Sequence, residues 1–196
     1  MYILNSNFTF LKNVGDISEV KLNELKEAFK NYPEFIYQGK NNLLFRKGVS
    51  GIVIQPNQLT YVTQGDVEQI DLEFIISELQ KLHELLNLSQ SSVFGLRFEA
   101  IENRNTNLME KSRLIIKDVS DIIEAQGIGF RFMIKNEKFF GDIHIEPFIK
   151  DPQKSFFNVI LQSSANINVN ESHAFVRELF DWSLEKIKKA ANELYK

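Results

Sequence analysis

The sequence predicts an α+β fold: two pseudo-repeats of strand, helix, three antiparallel strands and helix, with antiparallel sheets packed on helices. Three observations predict it. Short runs rich in aromatic and β-branched residues alternate apolar and polar at period two, as half-buried strands do. Longer runs set apolar residues three and four apart, the spacing of one helix face. The same order of runs occurs twice, over residues 1–89 and 90–196, with only the short polar turn Asn87 to Ser92 between them. Residue identity between the halves is negligible, so the repeat rests on pattern. With no linker between the halves, a single domain over residues 1–196 is expected.

In the first half, Tyr2 to Phe10 reads as a strand with Tyr2, Leu4, Phe8 and Phe10 on one face. A helix from Ser18 to Asn31 follows, with Leu22, Leu25 and Phe29 on its stripe and Ser18 as N-cap. Pro33 ends it. Leu43 and Phe45 alternate, Lys47 to Ser50 turn the chain, and Ile52 and Ile54 alternate again. Pro56-Asn57 then turns into Leu59 and Tyr61. Counting from these turns pairs Phe45 with Ile52 and Ile54 with Leu59, with one inward face. A second helix spans Asp71 to Leu86, its stripe made by Leu72, Ile75, Ile76, Leu79, Leu82 and Leu86.

The second half runs likewise. Val93 to Ile101 is a strand with Phe94, Leu96, Phe98 and Ala100 toward the core. A helix over Asn107 to Ala125 is expected to bury Leu108, Ile115, Val119, Ile122 and Ile123. A meander follows, with Ile128, Phe130, Phe132, Ile134, Phe139, Ile143, Ile145, Phe157, Val159 and Leu161 inward. Its turns fall at Asn136-Glu137 and Lys150 to Gln153. A final helix, capped by Asn170, runs from Glu171 to about Leu194 and buries Phe175, Val176, Leu179, Trp182, Ile187 and Leu194.

Composition excludes many kinds of chemistry. The 196 residues are 43% hydrophobic and 25% charged, which is ordinary globular composition. Lys+Arg number 23 against 26 Asp+Glu, a net charge of −3 that argues against a nucleic-acid partner. With no cysteine there is no disulfide framework, thiolate metal site or cysteine nucleophile. The N-terminal run lacks the basic and apolar regions of a signal peptide, and no stretch approaches 18 apolar residues. A cytoplasmic protein with no membrane partner is therefore expected. Nucleotide-binding loops, the nucleophile elbow and the zinc-protease helix motif are absent from the sequence, so no cofactor is expected. Gly127-Ile128-Gly129 is too short to cradle a phosphate and enters a strand. Lys186, Lys188, Lys189 and Lys196 suit the end of the last helix, interleaved with Glu185 and Glu193.

The strongest chemical candidate is Asp142-Ile143-His144-Ile145-Glu146. On a strand, Asp142, His144 and Glu146 share one face, away from the core. They could form a carboxylate–imidazole–carboxylate metal set or an acid/base group. A solvated sheet face is the simpler reading, because the turn at Asn136-Glu137 sets Arg131 opposite Asp142 as a cross-strand ion pair. His83 and His173 look isolated on helices. The same outer face also carries Arg97, Glu99, Met133, Phe140, Phe148, Phe156, Asn158 and Ile160. Exposed aromatics beside paired charges compose a recognition surface.

Residues 51–65 (GIVIQPNQLTYVTQG), 79–87 (LQKLHELLN) and 94–104 (FGLRFEAIENR) together resemble an uncharacterised bacterial family of sporadic distribution. In that family an LRY-x-N-like core follows the helix, and LRFEAIE stands in its place here. The N-terminal strand, the helix before Tyr32-Pro33 and the long terminal helix also agree. Glu99 and Ala100 depart from the pattern, and the chain is shorter than it. The resemblance implies no established activity or site residues; scattered distribution implies an association with mobile or defence genes. At the level of topology the chain is also similar to SecB export chaperones, acidic α+β proteins with aromatic-lined grooves.

The reading that follows is a non-enzymatic binding module, accessory to a bacterial defence, mobile-element or chaperone-like system, that recognises a protein partner or its own copy as a homo-oligomer. Its expected surface is Arg97, Glu99, Arg131, Met133, Phe140, Asp142, His144, Glu146, Phe148 and Phe156. The alternatives are a metal-assisted hydrolase using Asp142, His144 and Glu146, and a small-ligand sensor with a pocket between sheet and helices.

Overall fold

The computed structural model describes residues 1–39 and 42–196. The first half supplies β1 (Tyr2–Leu11), α1 (Glu19–Ala28), β2 (Glu34–Tyr37), β3 (Leu43–Lys47), β4 (Ser50–Gln55), β5 (Gln58–Asp66) and α2 (Leu72–Leu85). The second supplies β6 (Ser91–Asn103), α3 (Leu108–Ile115), α4 (Lys117–Ile122), β7 (Phe130–Lys135), β8 (Phe139–Pro147), β9 (Lys154–Ser163), β10 (Ile167–Asn168) and α5 (Ser172–Leu194). Among the described residues all ten strands belong to one open antiparallel sheet, in the order β2-β3-β4-β5-β1-β6-β9-β8-β7. The short β10 pairs with the start of β6. The helices pack on one side of this sheet, so the fold is α+β as the patterning predicts.

The tight turns set the register of the first arm. Phe45 faces Ile52 and Ile54 faces Leu59, and the inward side chains of all three strands are buried. Ser18 accepts a hydrogen bond from the Lys21 N–H, and Asp71 from the Phe74 N–H, each satisfying a donor that the first helical turn leaves free. At the centre, the Phe180 ring of α5 lies 5.8 Å from both Phe8 of β1 and Phe98 of β6. One helix thus bridges the seam between the two arms, and each fully buried phenyl ring there contributes about 1.5–3 kcal/mol.

Several expectations are corrected. A bulge between Ile3 and Ser6 interrupts the alternation of β1, so Ile3 is buried while Tyr2 and Leu4 are not. The four residues of β2 form an edge strand that the sequence pattern does not signal. Residues 107–125 do not form one buried helix. The chain breaks at Ile116, whose backbone is non-helical (φ −129°, ψ 56°), and the Ser120 hydroxyl donates to the carbonyls of Arg113 and Ile116 at the break. β-Branched neighbours disfavour a continuous helix here. Leu108 stays in the core, but Ile115, Val119, Ile122 and Ile123 are exposed, Ile122 by 80%.

Phe132 points to the helix side as expected, yet is 38% exposed, because β7 is the outermost strand and the helix layer does not fully cover it. Asn170 does not cap α5. A 3-10 turn precedes that helix, and Asn168 accepts the Asn170 N–H. His173 is not isolated: its Nδ1 lies 2.6 Å from Glu73, which also binds Arg177, joining α2 to α5. The Arg177 hydrogen bond, helped by His173, holds the Glu73 carboxyl below the usual carboxylate range.

Candidate functional site

The side of the sheet facing away from the helices carries the candidate residues. Alternation makes this so: the side chains that leave the core through Phe94, Phe98, Ile143, Ile145, Phe157 and Val159 alternate with ones that face outward. Antiparallel pairing then lines up outward residues from strand to strand. One such row joins Asn5, Glu99, Asn158, His144 and Arg131, and the next joins Asn7, Arg97, Ile160, Asp142 and Met133.

Within these rows the charges are paired. Arg97 donates to Glu99 at 3.1 Å. Arg131 donates to Asp142 at 3.0 Å, and His144 Nε2 lies 2.7 Å from the other oxygen of Asp142. The Arg131 hydrogen bond, with His144 adding to it, keeps the Asp142 carboxyl below its ordinary value. The predicted pairing is thus present, but in a different register. Arg131 faces His144, and Asp142 faces Met133, because the chain turns over Asn136 to Phe139 rather than at Asn136-Glu137 alone. The Asn136 side chain accepts the N–H groups of Lys138 and Phe139 and fixes that wider turn. The ion pair therefore forms diagonally.

Glu146 does not join this group. Its side chain lies against the Gly129 backbone. Among the described residues no three His, Asp or Glu side chains converge as metal ligands. Phe148 and Phe156 stack on each other, centroids 6.1 Å apart and planes 15° from parallel, and are half-buried at the end of the face. Met133 is 86% exposed, and Phe140 and Ile160 are also exposed. The Asn158 side-chain oxygen is buried between Glu99 and His144 without a hydrogen-bond partner among the described residues.

A third row is longer and was not foreseen from sequence. Ile36, Leu44, Val53, Thr60, Thr9, Gly95, Gln162, Phe140 and Lys135 stand side by side across nine strands, from one sheet edge to the other. Three concavities of about 190, 440 and 720 Å³ lie along it. The first two share Val53 and Gln55, and the last two share Ile160, Leu161 and Gln162, so they join as one trough. Gly95 forms its floor near the middle, where a Cβ would meet only the Leu161 carbonyl at 4.0 Å. The walls mix amides and hydroxyls (Asn7, Gln55, Gln58, the Thr9–Thr60 pair) with Leu11, Val62 and Ile160. Neighbouring positions in this row are up to 86 residues apart in sequence (Thr9 and Gly95), and only the pairing order brings them together.

On the helix side, a separate pocket of about 290 Å³ lies between α2 and the ends of β4 and β5, lined by Tyr32, Tyr61, Ser50, Thr63, Lys47 and Phe74 among others. Beside it the Tyr32 hydroxyl donates to the buried Glu78 carboxylate at 2.7 Å. Burial, reinforced by that hydrogen bond, keeps the Tyr32 phenol protonated well beyond its ordinary range. No helix of the described residues is long and apolar enough to cross a membrane. Comparison with known proteins finds no family model, no curated protein and no solved structure that matches this chain.

Proposed function

We propose that the chain is a non-enzymatic binding module that holds an extended segment of a protein partner in the trough of its open sheet face. The observation that carries this is the edge-to-edge row through Gly95, along which three adjoining concavities mix hydrogen-bonding and apolar lining residues. At about 4.8 Å between strands, nine strands span roughly 38 Å. An extended chain of about eleven or twelve residues fills that length. Amide and hydroxyl side chains match a polypeptide backbone, while Ile160, Phe140 and Met133 offer apolar contact.

The paired charges favour a polypeptide over a nucleic acid. Arg97 and Arg131 are already neutralised by Glu99 and Asp142, so no stripe of free cations follows the trough among the described residues. The second-half surface of Arg97, Glu99, Arg131, Asp142 and His144 becomes one wall of the site, and the trough extends it into the first half. A reducing, cytoplasmic setting suits a chain without cysteine.

The test is a panel of immobilised peptides of about twelve residues, probed with wild type and with Gly95→Leu. The leucine is added on the trough side, where its Cβ meets only the Leu161 carbonyl oxygen at 4.0 Å. Retention of a peptide subset by wild type, lost in a Gly95→Leu variant that melts like wild type, is the expected result. Equal retention by both proteins removes the trough from the reading.

A further inference from the structure

We propose that the free edge of β7 pairs with β7 of a second copy of this chain, forming a two-fold dimer covered on its helix side by the α3–α4 segments. This surface is separate from the trough. Three observations meet there. β7 ends the strand order, so its outer backbone groups have no strand partner among the described residues. The chain just before it exposes Leu114, Ile115, Ile116, Val119, Ile122 and Ile123, and β7 itself exposes Phe132 and Met133. An exposed apolar strip of this extent, beside an unpaired strand edge, is what an interface requires. The opposite edge is different: β2 has four residues, and α1 stands over it, with Lys26 Nζ 4.7 Å from the Phe35 ring centre.

Geometry and charge select the partner and the register. Two identical antiparallel strands are related by a two-fold axis perpendicular to the sheet. That axis keeps both helix layers on the same side, so the two apolar strips flank it together. Residues opposite each other share a face, and successive residues do not. The axis must therefore pass beside a residue rather than between two. Only Phe132 or Met133 at the axis overlaps most of the strand. With Met133 there, Arg131 would face the second copy's Lys135, placing like charges directly opposite. With Phe132 there, Phe130 faces Ile134, Arg131 faces Met133, and the two phenyl rings meet on the helix side. A copy of the same chain thus fits in one register.

The absence of cysteine makes the register directly testable. Residues at the axis lie about 4.5–5.5 Å apart between Cα atoms, within disulfide reach. Diagonal positions lie at about 7–8 Å, beyond it. Under mild oxidation Phe132→Cys should give a covalent dimer and Met133→Cys should not. By light scattering, wild type should approach twice the 22.8 kDa chain mass as its concentration rises. Ile122→Asp should weaken that dimer at least about tenfold while melting like wild type. A wild type that stays monomeric to near-millimolar concentration overturns the proposal. So does cross-linking through Met133→Cys in place of Phe132→Cys. Sedimentation of monomeric wild type with anionic phospholipid vesicles would assign the strip to a lipid surface and overturn it as well.

Discussion

The imidazole of His83 meets the ring of Phe10 edge-on, with centroids 5.3 Å apart and planes at 85°, in the layer between α2 and the sheet. The side chain is fully buried, and neither ring nitrogen has a hydrogen-bond partner among the described residues. Burial, with the positive charge of Lys12 adding to it, pulls the imidazole down from 6.5 to about 4.

This predicts an acid-labile contribution to stability. Between those values the unfolded chain binds a proton at this site and the folded chain does not. Stability from this group is therefore complete above about pH 6.5 and falls as pH drops toward 4, by about 3 kcal/mol. His83→Leu should remove that slope and be at least as stable at neutral pH, since two unsatisfied polar atoms leave the core. Urea denaturation of both proteins at pH 7.5 and 4.5 measures it. Parallel losses in the two would show that His83 does not carry the effect.

The Tyr32–Glu78 pair predicts an asymmetry between its partners. Tyr32→Phe leaves a buried carboxylate without its donor and should cost about 1–3 kcal/mol. Glu78→Gln keeps an acceptor for the phenol and buries no charge, so it should cost less. Equal losses in denaturation midpoints would mean that Glu78 is solvated by another route.

What the sequence discloses is what short-range chemistry determines. The turns at Lys47–Ser50 and Pro56-Asn57 lie between the strands they join, so the Phe45–Ile52 and Ile54–Leu59 pairs can be counted directly. Ser18 and Asp71 act within three residues of themselves. The Arg131–Asp142 ion pair was legible for the same reason, although its register depended on how Asn136 shapes the turn. The trough was not legible, because Thr9, Val53, Gly95 and Gln162 meet only through the order of nonlocal strands. The stripe of Ile115, Val119, Ile122 and Ile123 obeys the helical period, but period alone does not say whether a core lies beneath it. The bulge in β1 likewise leaves no mark beyond the polar Asn5-Ser6 step.

Burial separates two phenylalanines that look alike by alternation. Phe157 is fully buried between the sheet and the helices, so Phe157→Ala should cost about 3–5 kcal/mol. Phe132, on the exposed edge strand, should cost about 1 kcal/mol when truncated in dilute solution. Thermal and chemical melts of the two variants decide it. A Phe132→Ala protein as damaged as Phe157→Ala would place β7 inside the core.

Two glycines near the trough should respond in opposite ways. Gly141 adopts φ +150°, and a Cβ there would lie 2.0 Å from the Ile160 carbonyl oxygen and 2.9 Å from the Leu161 Cα. Backbone atoms of the paired strand cannot move aside as a flexible side chain could. Gly141→Ala should therefore destabilise the protein by about 2–3 kcal/mol. At Gly95 a Cβ has ordinary contact distance, and Gly95→Ala should stay within about 0.5 kcal/mol of wild type. Midpoints of urea unfolding compare the two directly. If Gly141→Ala is as stable as Gly95→Ala, β8 does not approach β9 this closely. The Gln162–Phe140 step, which carries the trough onto β8, would then lose its geometric basis.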